Sequence, residues 1–357
     1  MSRRILYPTT VINFVIEDIA RLSSTRINNC EEVVSYYGSQ ITSHPHLGTI
    51  VSAMCAFAVA RHISDQYNLT PKVSFTYLEN EGGIVKIVDG IKYQRMLCDD
   101  PEGKAKFDEY LESFKEMFGR LSELSGIPVQ IDSYFDLQAK PLARKTLLDI
   151  IEKKDIILPL LTPMRNKVGI RFKCPECAYL DKHYKTLEMT DYLAGKMARF
   201  NSRCFEHGNH EHILSADNNE FVDVNGMIRN TMKEIVIVHE SNEKMSYPII
   251  IKGADWVPTA IMVSEALEEL GYSYRERPQR IYTPLVLDWS GAKLSKSDPE
   301  VGKEDSPFVS YPEFMNQFKL DGLTKLWDEV FSWTQDTTKF YRHYTIDFFM
   351  DLLKARG

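Results

Sequence analysis

No apolar run in the sequence approaches the roughly 20 residues that a membrane helix needs, so we expect no membrane-spanning segment and no membrane partner. Near the start Arg3 and Arg4 are present, but Asn13, Glu17 and Asp18 interrupt the run after them, and the apolar centre of a secretory signal is missing. An excess of basic charge is missing too. The formal net charge is -7, which excludes a wholesale electrostatic grip on nucleic acid and confines any RNA contact to a local patch. Internal repeats and low-complexity tracts are lacking. Cysteine is scarce, with six residues: Cys30, Cys55 and Cys98 are scattered, whereas Cys174, Cys177 and Cys204 cluster near histidines. That distribution favours metal over crosslinks and a reducing, cytoplasmic compartment. What is present is ordinary globular stock, 43% hydrophobic and 26% charged over 357 residues, enough for one large or two medium cores.

The apolar pattern has the grammar of a parallel α/β protein. Val33 to Tyr37 (VVSYY) is a short run ending at Gly38, a buried strand delivered to a loop. Thr49 to Ile63 is rich in Ala and Met without Gly or Pro, and predicts a buried helix. Val73 to Leu78 and Ile84 to Val88 predict further strands, giving a strand, loop, helix, strand order. Phe107, Leu111, Phe114 and Phe118 recur at helical spacing between Lys104 and Leu124, and Gly126 and Pro128 end that helix. After a strand-and-helix stretch over Val129 to Lys154, the segment Cys174 to His212 departs from the pattern and reads as an insertion. The grammar resumes with the Ile-rich run Tyr247 to Gly253, a helix over Val257 to Leu270, and a strand over Ile281 to Leu287. Tyr311 to Arg356 is helical in pattern.

Two loops carry the chemistry. Thr42-Ser43-His44-Pro45-His46-Leu47-Gly48-Thr49 lies between a strand and a helix, where unpaired backbone N–H groups and the helix dipole favour the phosphates of ATP. His44 and His46 could donate hydrogen bonds to phosphate oxygens, and Gly48 would let adenine or ribose approach the backbone. A turn with two surface histidines is the plain alternative. The second loop, Gly291-Ala292-Lys293-Leu294-Ser295-Lys296-Ser297, comes after the last strand. Lys293 and Lys296 could neutralise a triphosphate while charge grows on departing pyrophosphate, and the Ser295 and Ser297 hydroxyls could complete the cradle. Taken singly, such a loop is more often a solvated turn.

Metal chemistry has its own signature. Cys174-Pro175-Glu176-Cys177 and Cys204-Phe205-Glu206-His207 form two pairs with two-residue gaps, and four such N and S ligands suit tetrahedral zinc in a closed, structural site. His210 and His212 leave the identity of the fourth ligand open.

HLGT at 46 to 49 and KLSKS at 293 to 297 resemble, in order and separation, the HIGH and KMSKS signatures of class I aminoacyl-tRNA synthetases. With the zinc-type insertion and Gly253-Ala254-Asp255-Trp256, the chain is most similar to the archaeal-type class I lysyl-tRNA synthetases. The resemblance spans roughly Val33 to Pro299. It implies a Rossmann-like (HUP-type) parallel sheet split by a zinc-binding insertion, with a short helical C-terminal region. It also implies His46 and Thr49 on phosphate, Lys296 on the pyrophosphate, and Gly253 and Asp255 bordering ribose and substrate. Asp255 equally suits the N-cap of the next helix. Glu79 and Glu81, in the loop after a strand end, could receive a basic amino-acid side chain or form a charged turn. Two departures stand out: Thr49 replaces the second histidine, and the long anticodon-reading region of the lysyl-type enzymes has no counterpart before Gly357.

These features divide the chain into a first half of the nucleotide-binding domain (1–100), a connecting insertion (101–245, its zinc module about 170–215), a second half (246–300) and a helical end (301–357). The expected function is ATP- and Mg2+-dependent activation of an amino acid, lysine or a related diamino acid, as an adenylate by a ligase. The acyl group would pass to a tRNA acceptor stem, a small molecule or a carrier protein. A nucleotidyltransferase using the same loops and a catalytically silent synthetase-like binding protein are the other readings.

Overall fold

The structure, a computed structural model, describes residues 5–6, 13–14, 24–80, 82–162, 167–294, 310–340 and 342–355. Its frame is a five-stranded sheet of β1 (Glu32–Gln40), β2 (Thr70–Leu78), β3 (Val129–Ser133), β4 (Ser246–Gly253) and β5 (Gln279–Thr283). All neighbours run parallel, and the spatial order is β5-β4-β1-β2-β3. Strand order therefore reverses between β1 and β4, which are paired from Ser246↔Glu32 to Ile250↔Tyr36. In an open sheet of this order the crevice beyond the carboxyl ends of those two strands is where ligands bind.

Five helices matter for the site: α1 (Leu47–Tyr67), α2 (Lys104–Ser125), α3 (Gly226–Glu243), α4 (Val257–Glu269) and α5 (Tyr311–Gln335). Buried apolar residues form two cores. In the first, Tyr247, Ile249 and Ile251 of β4 alternate inward against α1, α2 and α5, following the period of two that a strand imposes. Phe75 of β2 stacks on Phe118 at 4.1 Å and on Phe114 at 5.6 Å, which docks α2 on the sheet. In the second core, α3 and α4 pack with three helices between Tyr134 and Leu161 and with strands of the inserted region.

α1 is apolar on every side, and such a helix is stable only when surrounded. By length and composition alone it could cross a membrane, contrary to the expectation that no stretch could, but most of it is buried inside the fold. Nearly all of its residues from Leu47 to Ser64 lie in the interior.

One further expectation changes. Ile84 to Val88 does not extend the parallel sheet; Val85–Val88 pairs antiparallel with Ile91–Gln94, which in turn pairs with Leu180–Asp181. α2 and β3 belong with the sheet layer, β3 pairing with β2 and α2 packing into the first core. The helical end packs into the first core. Tyr311, Phe314, Leu326, Val330 and Trp333 share the first core with α1, and the Tyr311 amide donates to the Pro45 carbonyl at 2.7 Å. A second brace joins the end of the chain to the other loop, where Val286–Leu287 pairs in parallel with Tyr344–Thr345.

Candidate active site

Beyond the carboxyl ends of β1 and β4 lies a cleft of about 360 Å³, into which both halves of the sheet and the start of α1 contribute. His46, Gly48 and Thr49 line it from the α1 side; Gly253 and Asp255 line it from β4 and the turn after it; Lys293 and Leu294 line it from the second loop. Segments far apart in sequence are thus neighbours here.

At the start of α1, His46 occupies the N-cap position with extended backbone (φ -94°, ψ 171°), and no side chain caps the helix. Its carbonyl accepts from the Thr49 and Ile50 amides at 2.8 and 3.0 Å. The positive end of a long helix therefore faces the cleft. Gly48 lines the cleft, and a Cβ there would come within 2.9 Å of the His46 ring. His44 does not join the cleft. Its Nδ1 hydrogen-bonds the Ser113 hydroxyl at 2.7 Å, its Nε2 is 3.3 Å from the Glu109 carboxylate, and its ring meets Tyr110 edge-on. α2 supplies all three partners, so His44 fastens the loop to α2 instead of facing a ligand.

Across the cleft, Lys293 Nζ is 2.6 Å from Asp255 Oδ2. Asp255 does not cap α4, whose N-cap is Trp256; it sits in a short turn after Gly253 and holds the lysine. The second loop is anchored just before this contact: the Asp288 carboxylate accepts from the Ser290 and Ala292 amides at 2.8 and 3.0 Å, and the Leu294 amide donates to Val286. Ser295, Lys296 and Ser297 lie outside the described residues, as does Glu81.

Glu79 is not brought into the cleft. It is buried, lies outside the cleft lining, and accepts a hydrogen bond from the Tyr134 amide at 3.1 Å. Burial pushes its carboxyl up to about 7.

The cleft also holds residues that the sequence did not single out. Arg229 and Lys233 stand one turn apart on α3, Lys252 lies near the end of β4, and Asn230 and Tyr134 complete that wall. Lys233 donates to Thr76 Oγ1 at 3.0 Å and Lys252 to Asn230 Oδ1 at 3.1 Å, while Arg229 lies over the Tyr134 ring. Burial, and then the cations beside it, bring Lys233 down to about 7; burial brings Lys252 down to about 8. One signal was available: two cations four residues apart, one helical turn, and a lysine closing an isoleucine strand.

No protein-family model matches the sequence, and no curated protein matches it. Among solved structures it is similar to a Campylobacter jejuni protein described as an arginyl-tRNA synthetase (12% identity, TM-score 0.37, 86% of this chain and 66% of that one). It is likewise similar to a glutamate-tRNA synthetase of Elizabethkingia anophelis (13%, 0.38, 82% and 61%). A third is a glutamate tRNA ligase of Elizabethkingia meningosepticum in complex with its amino acid (13%, 0.36, 82% and 60%). The chain spans three fifths to two thirds of the length of these proteins.

Apart from the cleft, Cys174, Cys177, Cys204 and His207 bring their ligand atoms within 4.8 Å of one another. Neighbouring pairs are 3.5 to 3.6 Å apart, close to the edge of a tetrahedron around zinc with bonds of about 2.0–2.3 Å. The residues can hold a metal ion. His210 Nε2 is 3.4 Å from the Cys174 sulfur alone. His212 is committed elsewhere, its Nδ1 donating to Glu220 at 2.5 Å and its Nε2 bonded to Ser202 at 2.8 Å.

Proposed function

We propose that this cleft binds ATP and activates the carboxylate of an amino acid as an adenylate, the first half-reaction of a class I synthetase-type ligase. The observation that carries the reading is the uncapped start of α1 opposite Lys293 at the point where strand order reverses. An acid oxygen attacks the α-phosphorus, the bond to the bridging oxygen breaks, and pyrophosphate leaves with that bond's electrons. A hydroxyl or amine then attacks the resulting mixed anhydride and AMP departs. Residues 46–49 hold phosphate at the helix terminus. Lys293 and Lys296 meet the charge that grows on pyrophosphate, which is where a cation favours the transition state over bound substrate. Gly253 borders ribose.

Asp255 holds Lys293. Phosphate oxygens compete for this lysine, and the aspartate is then available to the substrate ammonium. Mg2+ arrives with the phosphates, since Asp255 is the sole carboxylate among the described residues lining the cleft. Zinc held by Cys174, Cys177, Cys204 and His207 is structural, because a closed shell of four protein ligands keeps no position for substrate.

The test is amino-acid-dependent exchange of labelled pyrophosphate into ATP, run across all amino acids with and without tRNA. Exchange with at least one acid is expected, and total silence would remove the reading. Lys293→Ala and Lys296→Ala should each lower exchange by about 10- to 1,000-fold with little change in melting temperature. Exchange at the parent rate in either variant takes that lysine out of the mechanism.

A further inference from the structure

Among the described residues four cations line the cleft, Arg229, Lys233, Lys252 and Lys293, against one carboxylate, Asp255, which is taken by Lys293. The three remaining cations make no ion pair with any carboxylate among the described residues; their partners are a hydroxyl, an amide oxygen and aromatic rings. This departs from the rest of the molecule. Half-buried Arg280 is paired with buried Glu234 at 2.5 Å, and buried Arg171 with buried Asp223 at 2.5 Å. A protein seldom withdraws charge from water without a counter-charge, because desolvation costs several kcal/mol per ion. Tyr134, wholly buried on the same wall, leaves its hydroxyl without a hydrogen-bond partner among the described residues. Gly38 of β1 keeps the space clear: a Cβ there would stand 3.2 Å from Lys233 Nζ.

We propose that Arg229, Lys233 and Lys252, with the Tyr134 hydroxyl, form a subsite for a second anionic group on the acid that is activated. The substrate class is then a dicarboxylic amino acid and not a diamino acid. This rests on the adenylation reading above, in which the start of α1 and Lys293 already serve the triphosphate and the reacting carboxylate must stay uncovered for attack. Arg229 can take the second carboxylate through two parallel hydrogen bonds, and the lysines supply point charges beside it. An ammonium group in the same place would face three like charges, a penalty of several kcal/mol at close range. Asp255 is the one carboxylate among the described residues lining the cleft, and Glu79 is not part of that lining.

The charges around Lys233 set a pH dependence. Lys252 and Arg229 press its proton off, while Asp132 of β3 and Glu234 of α3 help to keep it. A bound carboxylate favours the protonated lysine, so affinity for the acid falls as pH rises through about 7 to 8.

The experiment compares glutamate, aspartate, glutamine and lysine, first in pyrophosphate exchange with the full-length chain and then by calorimetric titration without ATP. Glutamate or aspartate should lead in both, with KM rising above pH 7. Lys233→Met and Arg229→Gln should each raise KM for the acid by about 10- to 100-fold, the range for losing a hydrogen bond to a charged group, and leave KM for ATP within about twofold of the parent. Preference for lysine or glutamine would overturn the proposal. So would a rise in KM for ATP alone, which assigns the cations to the triphosphate. If no acid supports exchange, the adenylation reading fails and the titration decides the subsite: binding of a dicarboxylate that Lys233→Met abolishes supports it, and no binding of either dicarboxylate overturns it. Melting temperatures keep misfolded variants out of the comparison, and Lys252→Met provides a third one.

Discussion

Lys233 and Glu79 write opposite pH signatures into stability. Lys233 drops from 10.5 to about 7, chiefly through burial and then through Lys252 and Arg229. Between about pH 7 and 10.5 the unfolded chain therefore binds more protons at this site than the folded one. Stability rises across that window and is lost as pH falls through 7. Glu79 is raised from 4.5 to about 7 by burial; its contribution is complete below 4.5 and is lost as pH rises through 7. Lys233→Met should flatten the alkaline limb and raise the melting temperature at neutral pH, while Glu79→Gln flattens the acid limb and keeps an oxygen for the Tyr134 amide. Thermal unfolding from about pH 5 to 9 measures both. An unaltered alkaline limb in Lys233→Met would mean that the lysine keeps its ordinary proton. At this scale the sequence was a partial guide. His46, Gly48 and Lys293 could be picked out because loop residues next to a helix start or a strand end have restricted uses. His44, four residues before Gly48, could not be told apart from His46, since only α2 distinguishes them.

At the scale of elements, β1, α1 and β4 were legible because central strands and buried helices are largely apolar. Val85–Val88 misled because a short β-branched run reads alike in a parallel sheet and in a surface hairpin. The metal-type cluster was legible from spacing, yet the choice among His207, His210 and His212 waited for the antiparallel hairpin Met197–Cys204 and Gly208–Ser215, which fixes where each ring points. Chelation should release about one zinc per chain and unfold that hairpin first. Hydrogen exchange would report it, with loss of protection over 174–215 and retained protection in α1. Equal loss in both places would make the metal a support of the whole fold. Phe118 offers the complementary test: Phe118→Ala removes the ring stacked on Phe75 and should cost about 3 to 5 kcal/mol in denaturant unfolding.

Across the whole molecule, the last helices and the two loops form one assembly. α5 shares the core of α1, its first amide holds Pro45, and Tyr344–Thr345 pairs with Val286–Leu287. Ending the chain at residue 309 should therefore abolish cooperative unfolding, not merely lower affinity for ATP, because α1 would lose apolar cover along its length. A truncated chain that melts cooperatively near the parent temperature would show that these helices are dispensable to the core.

The sequence by itself determined the alternation of apolar strands and helices, the two loops and the cysteine pairs, because each depends on periodicity or on spacing within a few residues. Tertiary structure alone decided that Lys293 meets Asp255, that Glu79 and His44 lie outside the cleft lining, and that Arg229, Lys233 and Lys252 gather in one cleft. Those facts depend on which strand lies beside which, and strand order is set by the packing of whole layers rather than by any local run of residues.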